Sequence, residues 1–180
     1  FFHQPVLLQP VCTSLQPNPT KRFLDATIGG GGHTRALLAT GARVLGLDQD
    51  LDAIRHLETD VALQPALATQ QLIIEKSNFI HAAEICRQHH FGPLDGVIAD
   101  LGVSSYQFDE PSRGFSFRQD GPLDMRFDTT RGVPAAELVN TLDAEALADL
   151  FRRQVGLEDR LQDQHRGHLR HAISDRGNSQ

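Results

Sequence analysis

The sequence has no apolar run approaching the ~18 residues of a membrane-spanning helix, and no stretch patterned like a secretory leader. It also lacks a basic excess: 17 Lys and Arg stand against 23 Asp and Glu, a formal net charge of −6. Proteins that grip nucleic acid over a broad face usually carry the opposite balance, because phosphate neutralisation supplies much of the affinity. Any contact with nucleic acid therefore has to be local. Cysteine is scarce as well. Cys12 and Cys86 lie far apart at no metal or redox spacing, so they are expected as reduced thiols packed in an intracellular domain. Phe1 rather than Met begins the chain, which sets the expectation that the natural start lies upstream. The expected compartment is the cytoplasm.

What is present is an alternation of short apolar strands and amphipathic segments, within a length of 180 residues that fits one domain. Strands are expected at Arg22 to Ala26, Arg43 to Asp48, Leu72 to Glu75 and Gly96 to Leu101. Between them, a helix is expected over about His33 to Ala39. Ile54, Leu57 and Val61 mark one face of a second helix, and Ala82, Ile85 and His89 line a third. Strands separated by helices imply βαβ crossovers, hence a parallel α/β sheet with helices on both faces. From Gly102 to Gly132 the chain is rich in Gly, Pro, Ser, Asp and Arg without sustained period, and loops this long tend to be functional or disordered. Asp143 then caps a helix striped by Leu147, Leu150 and Phe151.

Three places carry chemistry. Gly29 to Gly32, between a strand and a helix, would let the backbone approach a ligand closely. As a dinucleotide fingerprint the cluster lacks its third small residue, since Thr34 stands there. Asp25 ends the first strand; it would repel a pyrophosphate but favour a ligand carrying sulfonium and ammonium charge, or it simply hydrogen-bonds nearby backbone amides. Asp48 ends the second strand about 20 residues beyond the glycines, where an acid can accept both hydroxyls of an adenosine ribose. That contact does not separate NAD from S-adenosylmethionine. Asp100 opens a Gly/Ser-rich loop after the fourth strand. There it either caps the next turn or accepts the N–H bonds of an acceptor amine, localising the nitrogen lone pair for attack.

Six motifs stand in order: His3-Gln-Pro-Val-Leu-Leu8, Asp25-Ala-Thr-Ile-Gly-Gly-Gly-Gly-His-Thr34, Gly46-Leu-Asp-Gln-Asp50, Asp100-Leu-Gly-Val-Ser-Ser105, Arg113-Gly-Phe-Ser-Phe117 and Asp120-Gly-Pro-Leu-Asp-Met-Arg126. Together they resemble the ribosomal RNA small-subunit methyltransferase H family. The resemblance implies a Rossmann-like class I methyltransferase sheet, S-adenosyl-L-methionine as cofactor, and N4-methylation of a cytidine in small-subunit ribosomal RNA. It places cofactor contacts on Gly31, Gly32, His33, Asp48, Phe79, Asp100 and Gln107, with Asp100 also catalytic. Asp25 has no firm counterpart among those contacts, and Tyr106 replaces a residue that is commonly proline.

The same resemblance divides the chain into a cofactor-binding core over 1–110, the start of an inserted substrate-recognition region over 111–153, and an aperiodic tail over 154–180. The inserted region is not basic by count: four arginines from Arg113 to Arg131 face five acids from Asp109 to Asp128. Phe115, Phe117 and Phe127 either stack on bases or, as expected, pack under the loop. His165, His168 and His171 share a helix face only loosely and lack a partner at site-like spacing, so no metal is expected. Only six of the last 27 residues are aliphatic. This tail predicts a truncated family member with weak or no RNA methylation. The alternative is a non-catalytic or degenerate S-adenosylmethionine-binding fragment; an NAD-linked oxidoreductase is disfavoured by Asp25 and the missing third glycine. The small ribosomal subunit is the expected partner, with no membrane involved.

Overall fold

The structure is a computed structural model that describes residues 5–155, the side chains of 154 and 155 excepted. The chain forms two compact units, the first ending at Pro134 and the second beginning at Ala135. A single domain was expected from length, and residues 111–134 belong to the first unit. The histidine triplet and most of the tail lie outside the described residues.

The first unit is built on four parallel strands, β1 (Arg22–Asp25), β2 (Arg43–Asp48), β3 (Leu72–Lys76) and β4 (Gly96–Ile98), in the order β3-β2-β1-β4. Neighbouring side chains on a strand point to opposite faces, and here both faces are apolar. Phe23, Val44 and Leu72 enter one core cluster, whereas their neighbours Leu24, Leu45 and Ile73 join another. Helices α1 (Leu8–Leu15), α2 (Gly32–Ala39), α3 (Leu51–Thr59) and α4 (Gln64–Ala68) contribute to the first cluster through Val11, Leu37, Ile54 and Leu67. Helix α5 (Ala82–Gln88) contributes Ala82, Ile85 and Cys86 to the second. Burying each large aliphatic side chain stabilises the fold by about 1.5–3 kcal/mol, and the doubly covered sheet is the Rossmann-like α/β arrangement expected.

Two expectations need correction. β4 stops at Ile98 rather than Leu101. Its partner β1 ends at Asp25, which pairs with Ile98, so the chain beyond has no strand left to bond. Val61 does not extend the apolar face of α3 and is 83% exposed. The helix ends at Thr59, and the Asp60 carboxylate accepts the Ala62 amide at 2.8 Å, turning the chain outward before Val61.

The connections at the carboxyl ends of the strands set up the site. After β1, the Ile28 amide donates to the Leu47 carbonyl at 2.8 Å, laying the turn across β2. Gly46 makes room, since a Cβ there would come within 2.2 Å of Ile28 Cδ1. After β4 a short helix, α6 (Ser105–Asp109), is held by a capping box: the Ser104 hydroxyl accepts the Gln107 amide, and Gln107 Oε1 accepts the Ser104 amide.

In the second unit, α7 (Ala135–Thr141) precedes α8 (Ala144–Val155). The Asp143 carboxylate accepts the Ala146 amide at 2.8 Å, the cap expected from sequence.

Candidate functional site

Open parallel sheets bind ligands beyond the carboxyl ends of their strands, and here all four ends border one cleft of about 470 Å³. Ala26 to Gly30 come from β1, Asp48 and Gln49 from β2, Ser77 to Phe79 from β3, and Asp100 to Gln107 from β4. The volume lies within the range of small-molecule and cofactor sites, about 300–1,000 Å³. Among the described residues lining it are the carboxylates Asp48 and Asp100, and no lysine or arginine. Such a lining suits a ligand bearing positive charge better than a pyrophosphate.

Of the residues expected to hold a cofactor, Gly32, His33, Asp48, Phe79, Asp100 and Gln107 line this cleft. Gly31 does not. It sits one residue before α2 with φ +77°, and a Cβ there would meet Leu57 Cδ2 at 2.8 Å. Its glycine is required by the backbone and by packing, while Gly29 and Gly30 form the wall. A Cβ on Gly30 would meet nothing within 4 Å, which leaves room in front of that backbone.

Asp48 is held at both of its carboxylate oxygens. Its Oδ2 accepts the Gly29 amide and its Oδ1 the Asp50 amide, both at 2.9 Å, so it ties the glycine turn to the start of α3. Burial pushes its carboxyl above the ordinary range, opposed by those two amides and by the Gln49 amide. A carboxylate offers about four lone-pair sites, so these bonds leave room for a further donor.

Asp25 is fully buried beneath the turn and does not border the cleft. The Thr34 hydroxyl donates to it at 2.7 Å and the Thr27 amide at 3.4 Å. Of the two readings left open for this residue, local hydrogen bonding is the one observed. Burial raises its pKa to about 6, against the lowering effect of the Thr34 hydroxyl.

The remaining walls differ in character. Phe79 starts a single 3₁₀ turn whose Asn78 cap accepts the Ile80 amide at 3.0 Å, and its ring is half exposed. The His33 ring is buried, with Nε2 3.2 Å from the Val6 carbonyl. The Asp100 amide donates to the Thr27 hydroxyl at 2.7 Å, which fixes the backbone while the residue stays exposed at the cleft. Gln107 spends both ends of its amide inside the protein, one in the capping box and one donating to Asp50 Oδ2 at 2.6 Å.

Asp50 and Arg113 stand in the sequence motifs without a site role assigned to either, yet they anchor this wall. Arg113 Nη1 lies 2.8 Å from Asp50 Oδ2, and both side chains are almost wholly buried. The N-cap role of Asp50 and the Ser104-x-x-Gln107 box were legible locally; their union through Arg113 was not. Of the three phenylalanines, Phe115 and Phe127 pack together at 5.5 Å, with Phe127 on the cleft wall. Phe117 is 82% exposed and touches Phe108 edge-on, so packing under the loop does not describe it. Among the described residues, no group of His, Cys, Asp or Glu could hold a metal, and no helix is long and apolar enough to cross a membrane.

Comparison with known proteins adds the ancestry. Ribosomal RNA small subunit methyltransferase H of Magnetococcus marinus is 48% identical over 155 residues, covering 84% of this chain and 48% of that protein. The proteins of the same name from Thermomicrobium roseum and Bacteroides fragilis are 45% and 42% identical, each over 83% of the chain and 45% and 47% of their own lengths. The chain thus spans about half the length of the curated relatives it matches. The family model described as the MraW methylase family matches residues 1–164, motifs and cleft included, and the chain belongs to that family.

Proposed function

We propose that the cleft binds S-adenosyl-L-methionine and serves N4-methylation of a cytidine in small-subunit ribosomal RNA. The observation that carries the cofactor half is the lining itself: among the described residues, four strand ends converge on a cleft that presents two carboxylates and no lysine or arginine. The acceptor half draws on the relatives, which are named as ribosomal RNA small subunit methyltransferases.

In this reading Asp48 accepts the ribose hydroxyls on lone pairs that its amide bonds leave free. Phe79 offers a half-exposed ring to the adenine, Gly30 leaves the backbone open for close approach, and Gly32 lines the cleft packed against Pro5. The buried His33 ring closes one wall of the cleft. Gln107 acts from behind, holding Asp50 and through it the Asp48 turn. When bound, the cofactor supplies an electrophilic methyl group on a sulfonium. The Asp100 carboxylate accepts an N–H of the cytosine N4 amine, drawing the lone pair out of the ring and toward that methyl group.

Methyl transfer from labelled cofactor to unmethylated small ribosomal subunits tests the acceptor half. Label on cytidine N4 that disappears with Asp100→Ala is the expected result. Label on a different base, or undiminished transfer by Asp100→Ala, would overturn the assignment.

A further inference from the structure

Arg113 takes no part in the chemistry proposed above, yet its guanidinium makes four hydrogen bonds from an almost wholly buried position. Nη1 donates to Asp50 Oδ2 at 2.8 Å and to Asp52 Oδ2 at 3.3 Å. Nη2 donates to the carbonyls of Arg126 and Phe127, both at 3.0 Å. The Arg113 carbonyl in turn accepts the Met125 amide at 3.0 Å. One planar fork thus grips the β2–α3 turn on one side and the far end of the 114–127 loop on the other.

This arrangement is poorly explained as a stabilising device. The guanidinium is 4% exposed, and its Nε finds no hydrogen-bond partner among the described residues. Buried ion pairs of this kind often cost as much desolvation as they return, and their best-attested use is to specify one arrangement over others. What is specified here is visible from the contacts. Asp50 donates its amide to Asp48, the ribose acid, and its carboxylate also accepts from Gln107 on the opposite wall. Phe127, whose carbonyl the fork holds, lines the cleft directly. A continuous chain of bonds therefore runs from the adenosine site, through Asp50 and Arg113, to the loop at Phe127.

We propose that Arg113 is a positioning residue that couples cofactor binding to the placement of the 114–128 loop. The coupling rests on the cofactor reading given above. Occupation of the Asp48 site fixes the Asp48–Asp50 turn, the turn fixes the guanidinium, and the guanidinium fixes the loop end that carries Phe127. Lysine cannot substitute, because its single ammonium lacks the fork that reaches carboxylate and carbonyls together. Asp50→Asn breaks the same link differently. Its Oδ1 can still cap α3, but its amide would present donors to the donors of Arg113 and Gln107.

Hydrogen–deuterium exchange on the full 180-residue chain, with and without saturating S-adenosylhomocysteine, reads the coupling. In the unsubstituted chain, ligand should slow exchange both at the Gly29–Gly32 turn and across 114–128. In Arg113→Lys and Asp50→Asn, protection of the turn should persist, protection of 114–128 should be lost, and affinity should fall about tenfold. A purely structural role would change exchange equally with and without ligand. Loop protection that survives both substitutions would overturn the proposal. So would an unsubstituted chain whose turn responds to ligand while its loop does not, which requires no variant to fold. No response at either place would instead overturn the cofactor reading, and the coupling with it.

Discussion

The wall of the cleft formed by the glycine turn and the end of β2 is held by bonds that its backbone amides make directly to β2. The wall formed by Asp100 to Gln107 and Phe127 is held by side chains from distant parts of the chain. On the first, the Ile28 amide donates to the Leu47 carbonyl and the Gly29 amide to the Asp48 carboxylate, so the end of β2 sets the geometry. On the second, Asp50 and Arg113 join Gln107 to the 113–127 loop, beside the edge-on contact of Phe108 with Phe117. The difference separates a wall set by bonds to the end of β2 from one that depends, together with the Lys76–Asp128 pair, on the buried cation Arg113.

Removing that cation is the strongest way to break the comparison. Arg113→Met would leave the Asp50 carboxylate buried without its counter-charge, at a cost of about 3–5 kcal/mol in denaturant unfolding. Arg35→Met, which removes the partly exposed partner of Asp60 on the turn side, should cost less than about 1 kcal/mol in the same measurement. Equal losses would erase the distinction between the walls.

The acid buried under the first wall gives the next largest effect, and it appears as a pH dependence. Burial raises Asp25 in the folded chain from 3.8 to about 6, so the folded state holds that proton more tightly than the unfolded state. Its favourable share of stability is complete below pH ~3.8 and lost as pH rises through about 6, roughly 3 kcal/mol in all. Asp25→Asn should flatten the decline between pH 4 and 6, measured by unfolding at a series of pH values. Asp128, on the loop side, runs the other way. Burial pushes its carboxyl up, but the Thr130 hydroxyl and the Lys76 ammonium overcome this and bring it to about 2. Its contribution is present above pH ~3.8 and is lost as pH falls toward 2, outside the Asp25 window. An unchanged slope in Asp25→Asn between pH 4 and 6 would contradict the assignment to Asp25.

The smallest expected effect belongs to Phe79. Its ring reaches the cleft from a single 3₁₀ turn, half exposed, so Phe79→Ala should weaken an adenosine ligand by about 1–2 kcal/mol with no measurable change in unfolding. A large stability loss would mean that the ring packs rather than binds.

How far the sequence could be read follows the same division. β2 was legible to the residue, because Arg43 to Asp48 is a near-continuous apolar run ended by an acid. The glycine turn, Asp48 and Asp100 were legible because each is defined by a strand end a few residues away. Periodicity overreached where a local turn intervened, as at Val61, and where a partner strand ended, as beyond Ile98. Asp25 was correctly seen as awkward, but only its hydrogen bonds with Thr34 and Thr27 show that it serves the turn from beneath. Arg113 was legible as the start of a motif, but its pairing with Asp50 was not, for a different reason. Counting charges made it one arginine among several, and the acid that it neutralises lies 63 positions earlier in the chain.

The cofactor cleft is the central claim, and calorimetry with S-adenosylmethionine tests it most directly. The 180-residue chain should bind one equivalent saturably, and Asp48→Asn should weaken that binding by about 2 kcal/mol, roughly thirtyfold, through loss of charge-assisted acceptance at the ribose. Absence of binding, or equal affinity in Asp48→Asn, would contradict the account.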